Sequence, residues 1–292
     1  MKRYGLLGEK LGHSYSPAIH AELADYDYRL YEVAPEKLGE FLKDGEFDGL
    51  NVTIPYKKAV IPYCAALSPI AQKLQSVNVL VRRADGALYG DNADAYGFDA
   101  MVKASGISVE GKKALVLGSG GASATVCAVL NELRARSVTV ISRSGEDNYG
   151  NLDRHADAEI IVNTTPVGMY PNCGVSPVDL RQFPRLAGVL DIVYNPARTA
   201  LVMQAEALGI PYMSGLYMLV AQAKRTAEVF EGHAILGSET ERIWKKLGCE
   251  MQNIVLIGMP GSGKSTVAAR LAEALDRVAL DSDAEIEERN GA

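Results

Sequence analysis

Cysteine is scarce in this chain, and where it occurs it is scattered. Cys64, Cys127, Cys173 and Cys249 form no C-x-x-C pair and no zinc-ligand spacing. That excludes a disulfide framework and predicts reduced thiols in a cytoplasmic protein with no metal centre. Long apolar runs are also missing. No stretch approaches the roughly 18 apolar residues of a membrane span. The apolar start at residues 4–7 is cut by Gly8, Glu9 and Lys10, too early for a signal-peptide core. Positive charge is not in excess: the formal net charge of −6 argues against a surface built to grip nucleic acid or anionic membrane. Repeats and low-complexity segments are absent.

What the chain does have is alternation. Short apolar runs at residues 4–7, 28–33, 49–53, 77–81, 114–117, 137–141, 159–162, 188–193 and 254–257 read as strands, and amphipathic stretches such as 35–42, 122–133 and 200–208 read as helices between them. This predicts an α/β fold of parallel sheets with helices on both faces. A length of 292 residues suits two domains with room for a short extra piece.

A buried-looking strand at 112–117 runs into Gly118, Ser119, Gly120, Gly121, Ala122 and Ser123 before a helix. Glycines there permit a tight turn and close approach of backbone to a pyrophosphate, and the helix N-terminus supplies free N–H groups. Ser123 stands where a third glycine or alanine is usual, so the string alone is as consistent with a plain turn. The next strand tips the balance. It ends in Ser142, Arg143 and Ser144, with no acid to hold ribose hydroxyls. An arginine at that tip suits a 2′-phosphate, which points to NADP. Glu146 and Asp147 follow closely and weaken the local positive field, so NAD or dual use stays open.

Four polar strings in the first third fall at or near strand ends, where parallel sheets carry their sites: Ser14 to Pro17, Asn51 to Lys57, Ser76 to Asn78 and Gly90 to Asp94. Together they offer hydroxyls, amides, a lysine and a carboxylate, a set suited to a small polyhydroxylated acid. Singly, each has a plain structural reading: Ser16 and Asp94 as helix caps, Asn51 as a turn residue.

In order and spacing these strings resemble the shikimate dehydrogenase family: Ser14-x-Ser16-Pro17-x-x-His20, Asn51-Val52-Thr53-x-Pro55-x-Lys57, Val77-Asn78 and Gly90-Asp91-Asn92-x-Asp94. The likeness continues through Asn163 to Met169, Asp191 to Pro196 and Met218 to Ala223. It implies reversible NADPH-dependent reduction of 3-dehydroshikimate to shikimate, on the route to chorismate and the aromatic amino acids. Lys57 and Asp94 would be the catalytic pair. Ser14, Ser16, Asn51, Thr53, Asn78, Tyr194 and Gln222 would bind substrate, with Gln222 expected to be a buried amide. Gly118, Gly120, Gly121, Ala122, Ser142, Arg143, Ser144 and Gly215 would bind cofactor. A substrate-binding domain would comprise residues 1–94 and 216–247, and a Rossmann domain residues 95–215. The alternative is a quinate/shikimate dehydrogenase using NAD or both cofactors. A monomer and a homodimer are both open. Ala93, Ala95 and Tyr217 replace residues common in the family, and Tyr217 is expected to narrow the nicotinamide pocket. His20 is expected to be a packing or capping residue.

Residues 252–292 carry a second motif. The strand-like run ends in Gly258, followed by Gly261, Gly263, Lys264, Ser265 and Thr266, the full G-x-x-x-x-G-K-[ST]. Backbone N–H groups of such a loop cradle phosphates, its lysine reaches the outer ones and its serine meets Mg. With Asp281 and Asp283 beyond, it resembles the start of shikimate kinase. About 40 residues are too few for such a domain, so we read an incomplete P-loop βαβα fragment with weak phosphate binding and no kinase activity.

Overall fold

The computed structural model describes residues 2–12 and 14–290. It divides into two compact units, Met1–Met251 and Gln252–Ala292. No helix among the described residues is long and apolar enough to cross a membrane, and no disulfide links them.

The first unit holds two sheets. The first is built from β1 (Arg3–Gly8), β2 (Asp27–Glu32), β3 (Gly49–Val52), β4 (Cys64–Leu67), β5 (Val79–Arg82) and β6 (Leu88–Asp91), in the order β2-β1-β3-β5-β6-β4. Helices α1 (Ser16–Leu23), α2 (Leu38–Asp44), α3 (Tyr56–Ala59) and α4 (Pro69–Leu74) connect its strands. After α5 (Asp94–Ser105) the chain forms β7 (Lys113–Leu117), α6 (Gly121–Glu132), β8 (Ser137–Ile141), β9 (Ile160–Asn163), β10 (Gly188–Asp191), α7 (Ala200–Ala207) and β11 (Tyr212–Ser214). These strands make a parallel sheet in the order β11-β10-β9-β7-β8. Helices α8 (Leu216–Glu231) and α9 (Gly237–Glu250) complete the unit.

The second sheet shows why an uninterrupted apolar run makes a central parallel strand. Alternate residues of β7 enter opposite cores. Ala114 and Val116 pack with Val126 and Val129 of α6, whereas Leu115 and Leu117 pack with Ile161, Val189 and Leu201. Both faces are covered, so no polar alternation survives.

The first sheet departs from the expectation of parallel strands. β5 runs antiparallel to both β3 and β6. The cause is local: Ala84, Asp85 and Gly86 close a hairpin, with Arg83 N–H donating to the Ala87 carbonyl and Gly86 at φ +84°. Asp-Gly is a strong hairpin signal, and it was legible in the chain. Strands β4, β6 and β11 were also unforeseen, being short and weakly patterned. The expected helix at 35–42 is a 3₁₀ turn at Pro35–Lys37 leading into α2.

Helix α8 is shared by several packing layers. Leu216, Val220 and Ala223 meet Ile243 and Leu247 of α9 and Ile19 of α1. Near its other end Phe230 stacks on Tyr4 of β1 at 4.2 Å. Against α5 it comes so close that a Cβ on Gly97 would lie 2.8 Å from the Met218 carbonyl oxygen.

The second unit has two helices, α10 (Lys264–Leu275) and α11 (Ser282–Asn290). The expected strand at 254–257 does not form, which corrects the βαβα reading of this segment. A strand needs a neighbour to pair its N–H and C=O groups, and no strand occurs among the described residues of this unit. Val255 and Ile257 are exposed.

His20 is a core histidine, as expected. It is fully buried, stacks on Tyr28 with ring centroids 4.1 Å apart, and its Nδ1 lies 2.5 Å from the Tyr26 hydroxyl. Burial lowers its pKa from 6.5 to about 3. The unfolded chain therefore takes up a proton that the folded one refuses between those values. Stability should be intact above pH 6.5 and fall on acidification by up to about 1.4 kcal/mol per pH unit. Urea unfolding from pH 7 to 5 should show this slope, and His20→Asn should remove it; an equal slope in the variant would assign it elsewhere.

Candidate active site

The polar strings converge because of strand direction. The C-terminal end of β3 carries Asn51, paired in register with Val79, the first residue of β5. Val79 in turn pairs with Asp91, the last residue of β6. Asn78, just before β5, thus sits at the same edge as Asn51 and Asp91. Two backbone bonds fix it: Val52 N–H donates to the Asn78 carbonyl at 2.8 Å, and Asn78 N–H to the Asp91 carbonyl at 3.1 Å. The Asn78 side chain accepts from Ala93 N–H at 2.7 Å, steering the chain into α5.

Lys57 lies in α3, held beside this edge by a 2.8 Å bond from Val77 N–H to its carbonyl. Asp94 opens α5. Their side chains meet, Lys57 Nζ donating to Asp94 Oδ2 at 2.5 Å, with 30% and 19% of the side chains exposed. An ion pair this open to solvent contributes only about 0–1 kcal/mol to folding. Nor is Asp94 the cap of α5; Asn92 Oδ1 accepts from Ala95 N–H instead. The pair is free for chemistry.

The other residues the sequence singled out lie on several elements of the same unit. Ser14 and Ser16 stand at the start of α1, where Ser14 Oγ accepts from Ser16 N–H at 3.2 Å and the Ser16 hydroxyl makes no cap. Asn51 is buried between Tyr28 and Thr226 and closes no turn. Thr53 follows β3, its N–H bonded to the Leu7 carbonyl. Gln222 is on α8 beside Gly97. It is half-buried, not buried as expected, and its Nε2 donates to the Leu219 carbonyl of its own helix at 3.0 Å, with no hydrogen-bond partner for Oε1 among the described residues. Tyr194 lies edge-on to Tyr15 at 5.9 Å, so its link is to the Ser14–Ser16 segment.

The glycine-rich turn follows β7. Gly118 has φ +100°, and a Cβ there would meet Thr165 at 2.8 Å. Gly120 and Gly121 face open space, and with Ala122 they form the N-terminus of α6, whose first N–H groups have no intrahelical acceptor. Backbone donors, clearance and a positive helix end fit a pyrophosphate. Beside it, β8 ends at Ile141, whose carbonyl accepts from Gly118 N–H, and the chain turns through Ser142, Arg143 and Ser144. Arg143 is exposed and makes no ion pair among the described residues. Asp147 is turned away to His155, 2.7 Å from its Nε2, and towards Arg154 at 3.9 Å. The feared neutralisation of Arg143 by Asp147 is therefore reduced.

A buried network that sequence reasoning missed fixes the loops after β9 and β10. Asp191, fully buried, accepts from Asn163 Nδ2 at 2.9 Å, Thr199 Oγ1 at 2.7 Å and Val193 N–H at 3.1 Å. Burial pushes its pKa up, opposed by these three donors. Gly215 opens α8 so close to Ile192 that a Cβ would strike the Ile192 carbonyl oxygen. Tyr217 packs edge-on to Trp244, with ring centroids 5.5 Å apart.

In the second unit, Gly261 and Gly263 have positive φ, +73° and +83°. Lys264 Nζ donates to the carbonyls of Gly258 and Met259 at 2.8 and 2.9 Å. Ser265 Oγ faces Asp281 Oδ2 at 3.4 Å, and Thr266 follows, exposed, in α10.

Residues 6–80 match the family model for the shikimate dehydrogenase substrate binding domain, and residues 254–292 match an AAA domain. A shikimate dehydrogenase (NADP(+)) of Clostridium perfringens is 35% identical over 270 residues, 85% of this chain and 99% of that protein. Among solved structures, a chorismate mutase/shikimate 5-dehydrogenase fusion protein from Clostridium acetobutylicum superposes with a TM-score of 0.82 at 34% identity, covering 86% of this chain and 99% of that one. Shikimate 5-dehydrogenase from Thermus thermophilus, in complex with NADP(H) and shikimate, gives 0.76 at 31% identity, covering 84% and 99%.

Proposed function

This chain belongs to the shikimate dehydrogenase family, and from that premise we propose that its Lys57–Asp94 site carries out the reversible NADPH-dependent reduction of 3-dehydroshikimate to shikimate. The observation that carries this reading is the 2.5 Å Lys57–Asp94 pair beside the sheet edge where Asn51 and Asn78 also lie. Residues 1–94 with 216–247 serve substrate and 95–215 serve cofactor; the separate mixed and parallel sheets support that division.

Ser14 and Ser16 would hold the substrate carboxylate, and Asn51, Thr53, Asn78 and Gln222 its hydroxyls. Gly118, Gly120, Gly121 and Ala122 would receive the pyrophosphate, Ser142, Arg143 and Ser144 the 2′-phosphate, and Gly215 and Tyr194 would border the nicotinamide. Bound NADPH supplies the hydride. Lys57 meets the charge that develops on the carbonyl oxygen and delivers a proton to it from Nζ. Asp94 keeps the ammonium pointed at that oxygen and binds the neighbouring hydroxyl. In the reverse direction Lys57 takes the proton back. Because these are oxidoreductase steps on a small soluble acid, a cytoplasmic setting fits.

Residues 252–292 we read as carrying the phosphate loop of a shikimate-kinase-type P-loop domain. The glycine loop geometry and the AAA match support a phosphate-binding origin.

Three measurements test these readings. Lys57→Ala should lower kcat for shikimate oxidation by about 10²- to 10⁴-fold while raising the shikimate KM far less; near-normal turnover would remove Lys57 from the chemistry. Arg143→Ala should raise the NADPH KM by about 10- to 100-fold, as for a lost charged hydrogen bond, with little change for NADH; equal effects on both cofactors, or an original preference for NAD or quinate, would favour the quinate/shikimate alternative. With ATP and shikimate the chain should form no more phosphorylated product than its Lys264→Ala variant; Lys264-dependent product would establish a working kinase.

A further inference from the structure

We infer that Tyr28 and Thr226 are positioning residues that hold the Asn51 amide in the one orientation useful to the substrate. The inference rests on the reading of Asn51 as a substrate-binding group and extends it to two residues outside the family-derived set.

Asn51 is 5% exposed, and a buried amide must be satisfied. Its neighbours on β3, Leu50 and Val52, point into the apolar core, so strand alternation sends Asn51 to the other face, towards β2 and α8. There Tyr28 of β2 donates its hydroxyl to Asn51 Oδ1 at 2.8 Å. Asn51 Nδ2 donates to Thr226 Oγ1 of α8 at 3.1 Å. The Thr226 hydroxyl proton is already committed to the Gln222 carbonyl at 3.0 Å. That commitment fixes the direction of the amide. Flipped, Asn51 would present an acceptor to a hydroxyl with no proton left to give.

Tyr28 is itself braced. Its ring stacks on His20 at 4.1 Å with 13° between the planes. Burial raises its pKa well above the usual range, so the phenol stays a donor, and the Ser16 hydroxyl lies close enough to oppose that shift. Asn51 thus uses one Nδ2–H and one Oδ1 lone pair inside the protein, and its amide also lies close enough to His20 to oppose the fall in that imidazole's pKa. Thr226 ties this geometry to the same turn of α8 that carries Gln222. Beta-strand β2 and helix α8 therefore set the angle at which Asn51 meets a hydroxyl, without touching it.

The test is calorimetric titration of the full chain with shikimate, with NADPH titrated separately. Tyr28→Phe keeps the stacked ring and Thr226→Val keeps the shape; each should weaken shikimate binding by about five- to tenfold, as for one lost hydrogen bond, and leave NADPH affinity unchanged. Thr226→Ser should restore binding. In an Asn51→Ala background, Tyr28→Phe should add no further loss. A full further loss in that background, or NADPH affinity falling in step with shikimate, would show a general structural role and overturn the proposal. If Asn51→Ala weakens shikimate but Tyr28→Phe and Thr226→Val do not, the positioning role fails alone. If Asn51→Ala binds shikimate normally, the assignment of Asn51 fails and takes this inference with it.

Discussion

The reversed direction of β5 governs where polar groups can gather in this protein. In a wholly parallel sheet only the segments leaving strands reach the C-terminal edge, and a segment entering a strand lies at the far end. Because β5 is antiparallel to both neighbours, its entering segment, with Asn78, reaches the edge that β3 and β6 leave. The Val77–Lys57 backbone bond then anchors α3 to that same edge. Lys57 follows β3 and Asp94 follows β6, strands separated by β5 and hence by about 10 Å. A lysine and an aspartate side chain together can span that distance. The hairpin at Ala84 to Gly86 is far from the chemistry, yet it decides which residues can share a site.

Helix α8 makes the second half of the arrangement possible. Its first residue follows Gly215, whose lack of a side chain lets the helix start directly against the exit of β10. Its middle approaches α5 through Gly97, which places Gln222 near the helix that begins with Asp94. Its far end packs on β1 through Phe230. One helix thus links both sheets, and any tilt in it would move the Gly215 end and the Phe230 end together. Asp191 strengthens the same junction. An acceptor-only group receiving three donors is the arrangement that suits an ionised carboxylate, and its partners are Asn163 at the end of β9 and Val193 and Thr199 after β10.

Much of this was legible in the chain, and the rest was hidden for identifiable reasons. The central strands of the second sheet were readable because burial on both faces leaves a continuous apolar run. Both glycine loops were readable because close backbone approach and positive φ restrict the residues that fit. Lys57 and Asp94 were nameable as a pair from their family likeness, but their contact depends on β5, whose reversal is set by the Asp85-Gly86 turn. Gln222 illustrates an opposite error. Its apolar neighbours suggested a buried amide, yet Leu216 to Ala223 spans two helical turns, and Gln222 falls on the side of α8 that its neighbours Ala221 and Ala223 do not bury. The roles of Tyr28, Thr226 and Asp191 were out of reach because each acts across contacts between distant elements, and nothing in a single string announces such a partner.

The P-loop segment separates what local sequence can build from what it cannot. Helices α10 and α11 satisfy their backbone groups internally, so short-range information suffices. The loop also closes on itself: Lys264 bonds to the Gly258 and Met259 carbonyls, and glycines take the positive φ values the turn demands. The run at 254–257 has the composition of a buried strand but obtains no pairing within its unit, and Val255 and Ile257 stay exposed. An unpaired apolar run with strand composition is a surface that seeks an edge. A phosphate entering the loop must also compete with two carbonyls for the Lys264 ammonium, whereas a loop held open by a paired strand would present it outright. The most recognisable motif in the chain is for this reason the one whose chemistry depends most on structure that local sequence does not provide.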